Sequence, residues 1–169
     1  TVETMSQFMI LKNFLEKDYL PFIAGIQAKV PSILVSHNII NCLDSTKPAS
    51  LSKKVISELR GKLNFSGIII TDDLAMDAVK EYVENNQAAT LAIEAGNDMI
   101  ITSDFITMYK ELLNSVNNKI ITEETINQAV IRVLAWKYYT PDLNICNNFI
   151  KGNIVNKFHL KKGQRKMNM

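Results

Sequence analysis

The sequence predicts an α/β fold built of parallel βα units, and three observations carry that expectation. Brief apolar runs at 32–36 (SILVS), 67–71 (GIIIT) and 98–102 (DMIIT) lack strict apolar–polar alternation, the pattern of strands covered on both faces of a parallel sheet. Stretches with helical spacing separate these runs. Polar residues then gather where each run ends: Ser36 and His37 after the first, Asp72 and Asp73 after the second, Ser103 and Asp104 after the third.

The elements follow in order. Residues 14–28 predict a helix, with Pro21 near its start or at a kink. After the first strand, residues 51–63 predict a second helix, with Ser50 or Ser52 as N-cap. The second strand leads into Leu74–Val79, which has the spacing of a helical turn or more. Residues 87–95 predict a third helix that Gly96 ends from the C′ position. Two amphipathic helices close the order, 105–116 and 123–138. Thr122 caps the latter, Glu123 and Glu124 favour its positive end, and Arg132 and Lys137 its negative end. Strands alternating with helices imply a parallel sheet. Three such strands make a thin sheet with two raw edges, so the unit is a small three-layer sandwich or part of something larger.

A chain of 169 residues suits one domain. Residues 1–140 read as that domain and 141–169 as a basic tail. Apolar content of 47% and charged content of 21% fit an ordinary globular protein. No apolar stretch approaches the roughly 18–20 residues of a membrane span. Cys42 and Cys146 lie in no CxxC or His-rich setting, so they read as incidental thiols and not as metal ligands. Net charge is +2, yet Lys151, Lys157, Lys161, Lys162, Arg165 and Lys166 stand near the end without an acid, which leaves the rest at −4. That tail reads as a solvated end. No aromatic or Gly-rich pattern marks it for nucleic acid.

In parallel α/β folds, ligand sites lie at the C-terminal ends of strands, which draws attention to FSGIIITDDLAMD at 65–77. Asp72 and Asp73 can both be read as helix caps or loop solvation. Being adjacent, one can cap while the other faces the rim. Three chemistries compete for them. One is the nucleophile of a retaining glycosidase. Another is the paired carboxylate of a receiver-like magnesium site, which strains because a strand precedes this one and no Lys follows a later one. The third is a DDxxD metal motif with Asp77, which fails because that motif sits within a helix.

Four stretches in order then resemble glycoside hydrolase family 3: LEKDYLPFIAGIQAKVPSILVSH, LDSTKPASLSKKVISELRGKLNFSGIIITDDLAMDAV, AATLAIEAGNDMII and INQAVIRVLAWK. The likeness runs from about Leu15 to Lys137, and the branch it most resembles is the bacterial β-N-acetylhexosaminidases. The resemblance implies a (β/α)8-type barrel, of which this chain holds the C-terminal part. It implies that Asp72 is the nucleophile and Asp73 a structural neighbour. Ser36, His37 and Met76 fall at positions that face the sugar pocket, with a bracing role open for His37 and a packing role for Met76. The implied substrate is a glycan containing N-acetylglucosamine, with no metal or organic cofactor. The family's acid/base His–Asp loop and its sugar-gripping Lys-His come earlier in the barrel, and no KHFPG-like or DSH-like motif occurs here. Residues 1–13 match poorly. The expectation is a chain that lacks its acid/base, has little or no activity alone and calls for the missing barrel half as partner; the alternative is a vestigial, non-catalytic sugar-binding fragment.

Overall fold

The computed structural model describes residues 14–83 and 87–139; the expectations for residues 1–13, Cys146 and the basic tail lie outside them. Two units divide the chain, Thr1–Val133 and Leu134–Met169, and the first holds the sheet and the candidate site. Three parallel strands form that sheet: β1 (Ser32–Val35), β2 (Ile68–Asp73) and β3 (Met99–Ile101), in spatial order β1–β2–β3. Neighbours in space are thus neighbours in sequence. Right-handed crossovers that always step the same way place their helices on one face, as in a segment of a barrel wall.

Burial shows one covered face for β1, whereas β2 buries the successive residues Ile68 and Ile69 on opposite faces. Ile33, Val35 and Ile69 pack with Val55, Ile56 and Leu59 in a closed core, whereas Leu34, between two buried residues of β1, is 52% exposed. The reading of strands covered on both faces is therefore corrected for β1. Its apolar run lacks alternation, but its burial alternates.

The helices also depart from single long elements. Residues 14–28 form a wide π turn, Phe14–Asp18, and then α1 (Leu20–Gln27). Pro21 lies in the first turn of α1, where its missing N–H leaves no bond unmade. Residues 49–62 comprise a 3-10 turn at Ala49–Leu51, α2 (Lys53–Ser57) and a π turn at Glu58–Lys62. Ser52 is the cap of α2, its Oγ accepting from Val55 N–H. After β2 comes a short α3 (Asp77–Lys80), so the turn expected at 74–79 starts three residues late.

The remaining helices are α4 (Ala88–Ala95), α5 (Phe105–Asn117) and α6 (Glu123–Tyr139). Gly96 ends α4 at φ 109°, a left-handed conformation that suits glycine. Asp104 caps α5 through Thr107 N–H, and Thr122 caps α6 through Thr125 N–H. The first turn of α4 is capped from outside, because Glu111 of α5 accepts from Thr90 N–H at 2.6 Å. No helix among the described residues is long and apolar enough to cross a membrane.

One expected role changes. Arg132 does not serve the end of its own helix; its Nε donates to Asp98 Oδ1 at 2.6 Å. Asp98 precedes β3, is fully buried in its side chain, and also accepts from Arg60 and from Ile69 N–H. This cluster braces the N-terminal end of the sheet.

Candidate active site

β2 runs two residues past its expected end and takes in both carboxylates. Pairing explains the extension. Ile70 pairs with Met99 and Asp73 with Ile101, so three steps along β2 meet two along β3. The extra residue is a bulge at Thr71–Asp72, a device that bends a strand and re-aims its side chains. The Thr71 hydroxyl takes the Ile101 N–H at 3.2 Å where the ladder is interrupted, and Leu74 N–H restores pairing by donating to the Ile101 carbonyl at 3.0 Å.

The two carboxylates then part ways. Asp73 is consumed by the fold: its Oδ1 accepts from Ala75 N–H at 2.9 Å and from Ser103 N–H at 3.0 Å. Those amides, that of Ala75 foremost, hold its carboxyl below the usual carboxylate range. Its carbonyl accepts from Met76 N–H at 3.1 Å. Asp72 has one oxygen oriented, Oδ1, by the Asp73 N–H at 2.8 Å. Its Oδ2 has no hydrogen-bond partner among the described residues, and the side chain is half-buried at the rim.

His37 lies beside this turn and touches it directly. Its Nε2 is 3.0 Å from the Asp73 carbonyl, and its Nδ1 is 2.8 Å from Ser50 Oγ. A carbonyl only accepts, so Nε2 carries the hydrogen; in that tautomer the Ser50 hydroxyl donates to Nδ1. Both ring nitrogens thus have protein partners. Ser36 is half-buried and its carbonyl accepts from Ser50 N–H. Met76 is 47% exposed, so it is not packed in the core.

The structure brings Asp72, Asp73, His37 and Ser103 into one hydrogen-bonded rim and adds Ser50, which the sequence reading offered only as a cap. The signal was PASLS, where two serines compete for a cap that needs one. Ser52 takes the cap, and Ser50 is left to the histidine.

Hollows among the described residues include three away from this rim. One of about 110 Å³ runs along β1 beside Phe22, Leu34 and Ser36. Two of about 410 Å³ lie beside Lys47, Lys53 and Thr125 and beside Lys80, Asp104 and Glu111. Asp72, His37 and Met76 line none of the three. Among the described residues no three of His, Cys, Asp or Glu are grouped to hold a metal ion.

Residues 2–136 match the model described as "Glycosyl hydrolase family 3 N terminal domain". A β-hexosaminidase of Nitrosomonas eutropha is 32% identical over 116 residues, 68% of this chain and 33% of that protein. The crystal structure of CbsA from Thermotoga neapolitana is similar at TM-score 0.69 and 30% identity, over 74% of this chain and 29% of that one. A glycoside hydrolase family 3 β-N-acetylglucosaminidase from a Paenibacillus species is similar at TM-score 0.64 and 31% identity, over 70% of this chain and 24% of that one. The chain spans 25–33% of the length of the first curated relatives that it matches. It belongs to glycosyl hydrolase family 3, through the family's N-terminal domain.

Proposed function

We propose that this chain carries the nucleophile-bearing part of a retaining β-N-acetylhexosaminidase barrel, with Asp72 as nucleophile. One observation carries the reading: Asp72 ends the middle strand with one oxygen oriented by an amide and the other unpartnered among the described residues. A carboxylate oriented through one oxygen is ready to attack through the other. Asp72 attacks the anomeric carbon of a β-linked N-acetylglucosamine, a glycosyl ester forms, and the glycosidic bond breaks with its electron pair on the aglycone oxygen, which takes a proton from an acid of the completed barrel. Water then cleaves the ester, and configuration is retained. The names of the relatives support the substrate class. Ser36 and Met76 are the rim residues that a bound sugar would meet; His37 braces the nucleophile's turn.

The acid/base and most of the barrel's strands are not in this chain. Three strands among the described residues against the eight of a full barrel and the exposed Leu34 support that reading. Loss of the acid alone removes a contribution of about 10²–10⁴-fold. The chain by itself therefore hydrolyses poorly or not at all, and it needs the other barrel half to wall the sugar cleft. An assay on an aryl β-N-acetylglucosaminide tests this. The expected result is no turnover above that of Asp72→Asn, and robust turnover that Asp72→Asn abolishes would contradict the incompleteness.

A further inference from the structure

What fixes residue Asp73 bears on Asp72, because the Asp73 N–H orients the Asp72 carboxylate. Three neighbouring segments converge on that residue. From the β3 side, Ser103 N–H binds its carboxylate. From its own turn, Ala75 N–H and Met76 N–H bind its carboxylate and carbonyl. From the β1 side, His37 binds the same carbonyl.

The His37 contact differs from the others in being anchored at its far end. Ser50, fully buried, faces Nδ1 at 2.8 Å. Ser50 is itself fixed at both backbone groups: its N–H donates to the Ser36 carbonyl at 3.1 Å, and its carbonyl accepts from Asn97 Nδ2 at 2.8 Å. Asn97 is also buried and spends its other amide hydrogen on the Ala92 carbonyl at 2.7 Å. A continuous line runs from α4 through Asn97, Ser50 and His37 to Asp73, and from there to the Asp72 oxygen.

We propose that Ser50 and His37 form a positioning pair for Asp72: Ser50 holds the ring in its Nε2–H tautomer, and the ring holds the carbonyl of Asp73, the residue whose N–H, on the other side of its Cα, aims the carboxylate. His37 is then a positioning residue and not one that grips sugar. The proposal rests on Asp72 being the nucleophile for its functional meaning, although the brace itself is testable without catalysis.

The chain has two histidines, His37 and His159, so ¹⁵N-histidine labelling of the full chain gives two imidazoles, which a His159→Gln variant assigns. The expected spectrum shows His37 with its hydrogen on Nε2, and Ser50→Ala moves the Nδ1 signal. A hydrogen on Nδ1, or averaged tautomers, would overturn the proposal. Amide exchange supplies the second readout. His37→Leu should speed exchange of the Asp73 N–H about tenfold while the amides of α5 keep their rates. His37→Gln, whose amide N–H can donate to the Asp73 carbonyl, should restore it. An unchanged Asp73 amide in His37→Leu, or a uniform rise across α5, would overturn it. Labelling of Asp72 by a 2-fluoro glycoside with a dinitrophenolate leaving group separates the two claims. Failure of the wild type to label, with the exchange pattern intact, would sink the nucleophile and leave the brace standing. Labelling of His37→Leu at the wild-type rate would sink the positioning role and leave the nucleophile.

Discussion

Asp98 and Asp72 stand at opposite ends of the same small sheet and are treated in opposite ways. Asp98, before β3, is buried and receives two guanidinium groups and a backbone amide. Asp72, at the far end of β2, is half-buried and receives one amide on one oxygen. A buried carboxylate with saturated acceptors can only hold parts together. A rim carboxylate with an unspent oxygen has something left to do. The N-terminal end of the strands therefore holds the buried charge cluster, and the C-terminal end is the one to which the proposed function assigns the chemistry, the division known for barrels.

Breaking the base should have the largest effect. Asp98→Ala leaves Arg60 and Arg132 facing each other without their acid, and truncating one partner of a buried charge cluster costs about 3–5 kcal/mol. Urea denaturation of the full chain measures it, and a loss below about 1 kcal/mol would remove the contrast between the two ends. A smaller effect is expected at Asp44. Its carboxylate accepts from the Ser52 and Thr46 hydroxyls and from the Thr46 amide, and these, Ser52 first, lower its pKa from 3.8 to about 2. A folded pKa below the unfolded one contributes stability above the unfolded value and loses it as pH falls toward the folded value. Wild type should thus lose stability between pH 3.8 and about 2 more steeply than Asp44→Asn, as followed by circular dichroism during acid titration.

At the rim the expected stability changes are small. Asp72→Asn should alter stability by no more than about 0.5 kcal/mol, since only one amide contact depends on it. A large loss would make Asp72 a second structural carboxylate. Smallest of all is the exposed Asp77–Lys80 pair, three residues apart on α3. Exposed pairs of this kind are screened and entropically costly to hold, so Lys80→Ala should leave the urea midpoint unmoved.

Part of this division was legible in the sequence. The three apolar runs, the αL glycine at Gly96, the cap at Thr122 and the polar rim at Asp72 and Asp73 all follow from local pattern, and local pattern needs no knowledge of neighbours. The bulge was not legible, because it arises from the register between β2 and β3. The clamp on Asp98 joins residues 38 and 34 positions away, and sequence spacing carries no sign of such meetings. The 51–63 segment read as one helix because its apolar spacing is helical throughout. The chain instead tightens before Ser52 and widens after Ser57, keeping the apolar face while changing the turn. Ser50 was visible only as a cap competitor, since its histidine partner lies 13 residues upstream.

Peptide mass mapping after incubation with the activated 2-fluoro glycoside tests the central claim most directly, because a dinitrophenolate leaving group needs no acid and isolates the step assigned to Asp72. The account predicts slow labelling, because the sugar cleft is only partly walled, with the sugar attached at Asp72 and missing from Asp72→Asn. Attachment at another residue, or equal attachment in Asp72→Asn, would contradict it.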